Sequence, residues 1–211
     1  MSTTYEQRLR SGGDWLGASC IPRWRDEGFL FAGQVDGTRL VLSGIGGKVE
    51  PGETFAQAMA REFREETGCA PGTVVRPRVP RPLTVLAQGR PVPSGAAALI
   101  AERPPAHPTG GTLWIAVFLT RLVPAPRPIE KVSHFIVVPP SSGWPTLAKL
   151  TVGDLRVVAG NRAVPAITAL ADGRQSVHAQ HTAAAVLSRP GLLAEWWQLT
   201  EGQQGGQTAT R

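Results

Sequence analysis

Cysteine is scarce in this chain: Cys20 and Cys69 are the only two in 211 residues. Two thiols make no disulfide framework, so a small cross-linked secreted scaffold is excluded and a reducing, cytoplasmic setting is expected. Long apolar runs are missing too. No stretch of about 18 apolar residues occurs, which excludes a membrane-spanning helix. The first residues, MSTTYEQRLRSGGDW, carry no apolar segment behind their charges, so no secretory signal is expected. Acidic residues are the minority, 16 against 22 basic ones, for a formal net charge of +6. A basic surface attracts phosphates in general. No RNA- or DNA-binding signature accompanies it, so no nucleic-acid partner is expected.

Against that scarcity, the acids that exist are concentrated. Gly46 to Cys69 reads GGKVEPGETFAQAMAREFREETGC and holds Glu50, Glu53, Glu62, Glu65 and Glu66. Pro51 and Gly52 break regular structure, which predicts a helix starting near Glu53 or Thr54, with Gly68 as its C-terminal cap. Glu53 would suit the positive end of the helix dipole. Phe55, Ala56, Met59, Ala60 and Phe63 recur at helical spacing as one apolar stripe. On the same wheel Glu62, Glu65 and Glu66 share a face, and Glu66 projects at the edge of the stripe between Phe55 and Met59. Like charges crowded against a core repel one another and lose hydration. A hard multivalent cation, Mg²⁺ or Mn²⁺, would relieve both costs.

The segment resembles the signature of the Nudix hydrolases. That pattern is a Gly, five residues, a Glu, seven residues, then Arg-Glu-apolar-x-Glu-Glu-x-Gly-apolar. Gly47, Glu53, Arg61, Glu62, Glu65, Glu66 and Gly68 match the fixed positions, and Phe63 and Cys69 occupy the apolar ones. The resemblance implies an α/β (α+β) fold, an α/β/α sandwich around a mixed β-sheet. It implies Mg²⁺ as cofactor, with Mn²⁺ as a substitute, held by Glu62, Glu65, Glu66 and the carbonyl of Gly46. Glu62 and Glu66 would then serve catalysis, with Arg61 positioning them and Gly47, Glu53 and Gly68 supporting loop and helix. Many members carry a further acid after the long central strand. Glu130 holds that place here and is the candidate base for activating water. The implied reaction is hydrolysis of a phosphoanhydride in a nucleoside diphosphate linked to a moiety X, which makes a nucleotide-type small molecule the expected partner.

The rest of the chain supplies flanks. Residues 1–14 read as a loosely held polar tail. Trp15–Pro22 reads as an edge strand. Phe29–Val35 and Arg39–Leu42 read as a hairpin about Asp36-Gly37. Residues 71–108 hold nine prolines, arginines Arg76, Arg78, Arg81 and Arg90, and two β-like pieces, Leu83–Ala87 and Ala97–Ala101. Thr112–Leu122 is nearly all apolar and reads as a central strand buried on both faces. His134–Val138 is a further strand. A Nudix domain is therefore expected over 15–145. A helical extension over 146–201 is expected to pack on it. Within that extension Leu147–Val158 is ambiguous, while Val164–Ala171, Thr182–Leu187 and Leu192–Leu199 read as helices. Residues 202–211 read as a disordered tail. The extension fits three roles: a cover for the core, a lid, or a homodimer interface. Trp196 and Trp197 are expected in the core, Trp114 or Trp144 as a surface for stacking on a base, and His178 and His181 are not expected to bind metal. Two other functions compete. One is a Nudix-fold nucleotide sensor regulating transcription, disfavoured because every acid of the signature is present. The other is removal of pyrophosphate from RNA 5′ ends.

Overall fold

The computed structural model describes residues 4–10, 13–36, 39–71, 74–75, 90–102, 110–122, 124–127, 132, 134–139, 147–160, 176–189 and 191–201. Its centre is a pair of long parallel strands, β1 (Trp15–Trp24) and β7 (Leu113–Leu122), matched residue for residue from Trp15 opposite Leu113 to Trp24 opposite Leu122. Around them β2 (Gly28–Asp36), β3 (Arg39–Ser43), β4 (Ile45–Lys48), β5 (Val74–Val75), β6 (Ala98–Glu102), β8 (His134–Val138), β9 (Arg156–Gly160) and β10 (Val177–Ala179) complete one mixed sheet. The path β10-β3-β2-β1-β7-β5 is continuous, with β4 on β1, β6 on β7, and β8 between β2 and β9.

Side chains alternate across β7 with the two-residue period of a strand. Ile115, Val117 and Leu119 enter one apolar cluster, whereas Trp114, Ala116 and Phe118 enter another. The first cluster also contains Val186 and Leu187 of α3 (His181–Leu187) and Leu193 and Trp196 of α4 (Leu192–Glu201). The second contains Phe55, Met59 and Phe63 of α2 (Phe55–Thr67) and Leu9 of α1 (Tyr5–Arg10). Helices thus cover both faces of a mixed sheet, the expected α/β/α arrangement.

Three readings change. Trp15–Pro22 is not an edge: β1 lies between β2 and β7, and all its residues after Trp15 are buried. A short apolar stretch suggested an edge, but β2, β4 and β7 all pair with it. Residues 5–10 of the expected tail form α1. Leu9 is buried there, the Glu6 carboxylate accepts from the amide of Phe55 at 3.1 Å, and Arg10 donates to the carbonyls of Val49 and Glu50. The 146–201 region is not wholly helical, since β9 pairs with β8 and β10 runs parallel to β3. The pieces Leu83–Ala87 and Val164–Ala171 lie outside the described residues, whereas the Ala97–Ala101 piece corresponds to β6. No helix among the described residues is long and apolar enough to cross a membrane.

Candidate active site

The acid-rich helix is held at both ends by its own sequence. Thr54 caps it: its hydroxyl accepts from the Gln57 amide at 3.2 Å, and the Gln57 side chain accepts from the Thr54 amide at 2.9 Å. This reciprocal box satisfies two otherwise orphaned donors. Gly68 ends α2 in the left-handed region, φ 68°, with its amide bonded to the Arg64 carbonyl. The buried face is Phe55, Ala58, Met59, Phe63 and Thr67. Ala56, placed on the stripe by spacing, is exposed, and Ala58 takes its place. Glu53 precedes the cap and does not sit in the first turn. It holds the entering loop instead, accepting from the Glu50 amide at 2.9 Å.

Arg61 is the hub of the cluster. Its Nε and Nη2 donate to the two carboxylate oxygens of Glu53 at 2.8 and 3.0 Å. Nη1 donates to Glu62 at 2.8 Å and to Glu65 at 3.0 Å, and Nη2 also reaches the Lys48 carbonyl at 2.9 Å. One planar guanidinium therefore bridges three carboxylates and the backbone of β4, which a lysine could not do. The pairing with Glu53 and Glu62 raises the Arg61 pKa further, and the same hydrogen bonds hold the Glu53 carboxyl below the usual range. Glu66 contacts β4, accepting from the Gly46 amide at 2.9 Å. Its charge adds to the burial that pushes the Cys20 thiol well up.

The glycines make this contact close. Gly46 has φ 152°, and a side chain there would collide with the backbone of Ala18 and Ser19. A Cβ on Gly47 would overlap the Glu62 carboxylate. The loop is thus pressed between β1 and the acids of α2. It opens on a cavity of about 480 Å³ lined by Gly46, Gly47, Lys48 and Glu66 on this side and by Gln180 and His181 on the other.

The NUDIX domain model matches residues 15–122, just over half of the chain. The chain belongs to the Nudix family. The protein is accordingly a hydrolase acting on pyrophosphate bonds. No curated protein matches it. Among solved structures, a NUDIX hydrolase from Nitrosomonas europaea is similar with 14% identity over 90% of this chain and 90% of its own, TM-score 0.39. The E. coli ORF135 protein is similar with 19% identity over 58% of this chain and 71% of its own, TM-score 0.39. A MutT NUDIX hydrolase from Burkholderia pseudomallei shows 20% identity over 56% and 74%, TM-score 0.37.

Within this Nudix domain the structure brings Glu53, Arg61, Glu62 and Glu65 into one ion-pair network and sets Glu66 against Gly46. Among the described residues, no three His, Cys, Asp or Glu side chains converge as a metal site would. Three of the carboxylates, Glu53, Glu62 and Glu65, pair with Arg61 instead. The donor chemistry nonetheless fits a hard cation: Glu62, Glu65 and Glu66 are carboxylates on adjacent turns beside a backbone loop. Glu130 and Trp144 lie outside the described residues. Trp114 is no stacking surface. It is buried, its Nε1 donates to Asp14 at 2.7 Å, and the Arg90 guanidinium lies 4.9 Å from its ring centre. Trp15, which does line the cavity, is 38% exposed. Sequence reasoning missed Ser19, Glu102 and the cavity role of His181. Their signal is tertiary, since they come from β1, β6 and α3.

Proposed function

We propose that the protein is a Mg²⁺-dependent hydrolase that cleaves the phosphoanhydride of a nucleoside diphosphate linked to a moiety X. The observation that carries this reading is the Glu66–Gly46 contact at 2.9 Å beside the cavity. It supports the reading because the Glu66 carboxylate borders the cavity while its helix packs into the apolar core. Glu62, Glu65, Glu66 and the Gly46 carbonyl are the groups that would hold Mg²⁺, or Mn²⁺ in its place. When bound, the cation neutralises phosphate oxygens and lowers the pKa of water. The chain's own residues do the rest. Arg61 keeps Glu53, Glu62 and Glu65 within reach of one another, and Gly47 lets the Glu62 carboxylate lie against the backbone. Glu130 is the candidate base by its position in the chain. The setting is the cytoplasm, and a homodimer through the 146–201 region fits the reading.

The test is a panel of nucleoside diphosphate derivatives, offered with Mg²⁺ and with Mn²⁺, with release of phosphate groups measured. Glu66→Gln keeps an oxygen to accept from Gly46, so it is expected to fold normally. It is expected to lose roughly 10²-fold or more in turnover, the scale of one positioned acid–base or ligand group, together with metal affinity. Unchanged turnover would remove Glu66 from the site. Glu130→Gln is expected to lower turnover with a smaller loss of metal binding; wild-type rates would make Glu130 a solvated loop residue.

A further inference from the structure

The loop that enters α2 is held from outside the family match, which begins at residue 15. Lys48, Val49 and Glu50 follow one another there, and the carbonyl of each accepts from a guanidinium. Arg61 of α2 donates to Lys48 at 2.9 Å. Arg10 of α1 donates from Nη2 to Val49 and, at 2.9 Å, to Glu50. The first arginine belongs to the signature and the second does not. Glu6 lies four residues before Arg10, on the same face of α1. Its carboxylate accepts from the Phe55 amide at 3.1 Å, at the far end of the loop. α1 therefore grips the loop at its entry and at its exit. The helix is itself fixed: Leu9 is buried, and the Tyr5 hydroxyl donates to the Pro91 carbonyl at 2.7 Å. Between the two grips the chain turns at Pro51 and Gly52, both exposed, with Gly52 at φ 87°. Ordering such a turn costs backbone entropy, which contacts at its ends must offset.

We propose that Arg10 is a positioning residue for hydrolysis, acting on the acids of α2 through this loop. The inference rests on the reading that Glu62, Glu65 and Glu66 hold a divalent cation. The route is continuous in hydrogen bonds. The Glu50 carbonyl that Arg10 binds also accepts from the Glu53 amide at 3.1 Å, and the Glu50 amide donates to the Glu53 carboxylate at 2.9 Å. Glu53 takes Arg61 by both carboxylate oxygens, and Arg61 in turn holds Glu62 and Glu65. Without Arg10, the turn at Glu50 gains freedom, and that freedom reaches Glu62 and Glu65 through Glu53 and Arg61. Removing a partner that stands behind a metal ligand changes affinity or activity by roughly 10- to 100-fold. The charge of Arg10 works in the opposite sense. A positive group near clustered carboxylates repels a metal cation, so charge alone predicts that losing Arg10 tightens metal binding. Positioning predicts that it weakens. The two accounts differ in sign.

The experiment titrates the full chain with Mn²⁺, following the free ion by electron paramagnetic resonance. Wild type is compared with Arg10→Ala, Arg10→Lys, Glu53→Gln and the double variant Arg10→Ala/Glu53→Gln. Rates at saturating metal are measured with a nucleoside diphosphate derivative that wild type cleaves, and Tm by circular dichroism. Binding and rates are taken well below each Tm. Arg10→Ala is expected to bind Mn²⁺ about tenfold more weakly and to lose about tenfold in kcat, with KM nearly unchanged. Arg10→Lys keeps a charged donor for the carbonyls and is expected to recover most of both losses. The double variant is expected to lose little beyond the worse single variant, because the two residues act along one route. Arg10→Met, which keeps the apolar stem without charge or donor, replaces Arg10→Ala if that variant does not fold. A lower Tm with wild-type Kd and kcat would make Arg10 structural and overturn the inference, while the metal reading stands. Tighter Mn²⁺ binding would overturn it too, leaving Arg10 only its charge. Losses that multiply in the double variant would overturn the route through Glu53. Cleavage by a wild type that binds no Mn²⁺ would overturn the metal reading and the inference with it. Weaker Mn²⁺ binding in Arg10→Ala, with no derivative cleaved by wild type, would support the positioning of the cation and overturn the substrate reading.

Discussion

Gly46 and Gly47 are neighbours in sequence with different reasons for lacking a side chain, and they separate stability from activity. At Gly46 the obstruction is backbone, the Ala18 carbonyl and the Ser19 Cα, and φ is 152°. Backbone cannot swing aside, so Gly46→Ala is expected to cost about 3 kcal/mol or more through combined strain and overlap. At Gly47 the obstruction is the end of the Glu62 side chain, which can rotate away. Gly47→Ala is therefore expected to change stability by less than about 1 kcal/mol while lowering turnover, because Glu62 is displaced from the loop. Denaturant melts and hydrolysis rates on the two variants check this; equal loss of stability in both would show that Glu62 is not free to yield. The matched spacing of the acids was legible in the sequence because helical periodicity and signature both bear on one contiguous segment. The three-way role of Arg61 was legible only in part. Its i,i+4 partner Glu65 follows from helix geometry, whereas Glu53 reaches it from the loop before the cap, an approach no wheel displays.

At the scale of elements, β8 and α3 each present a histidine, with opposite consequences for pH. His134 on β8 is 4% exposed, and burial pushes its pKa down. Its unfolded form therefore binds more protons than the folded one, so stability is complete above the ordinary value of about 6.5 and is lost as pH falls through the depressed folded value. His181 at the start of α3 has its pKa raised, first by the hydrogen bond to Glu102. Its contribution is present below about 6.5 and is lost as pH rises through the folded value. Between pH 7 and pH 5 the two oppose each other. In His181→Asn the fall in Tm on acidification is expected to be steeper than in wild type, and in His134→Gln shallower. Proton NMR titration of the ring resonances checks the cause, with the His134 midpoint expected below and the His181 midpoint above the ordinary value. The strands themselves show which elements a sequence displays. β7 was readable because both its faces are apolar. β1 was misread as an edge because it shows only as a short apolar stretch, and its burial comes from β4 and β7, which pair with it from positions distant in sequence. The two strands after residue 146 were masked because each is short and depends on a partner, β8 or β3, distant in sequence.

For the whole molecule, the region after the family match is part of the fold's second layer. Trp196 is fully buried in the same apolar cluster as Phe29, Phe31, Ile115 and Val117. Arg23, buried near the end of β1, donates from Nη1 to the Thr200 hydroxyl at 3.1 Å and from Nη2 to Asp26 at 2.7 Å, and its guanidinium lies 3.7 Å from the Trp197 ring centre. Trp197 in turn meets Phe29 edge to face, with ring centres 5.7 Å apart. A buried arginine keeps its charge satisfied only while these partners stay in place. Without α4, an ionised group and one face of the sheet would both meet water. Shortening the chain to end at residue 145 is therefore expected to abolish cooperative unfolding, and not merely to remove a dispensable lid. Trp196→Ala in the full chain is expected to cost roughly 3–5 kcal/mol, the scale for emptying a large core side chain. Trp196→Phe is expected to cost less, because among the described residues the indole Nε1 has no partner, and phenylalanine removes that unmet donor along with some volume. Circular dichroism melts of the three proteins decide between the two roles. A shortened chain that melts as sharply as the full one would make the C-terminal region an accessory, and His181 would then line the cavity from a separable wall on an independently stable domain.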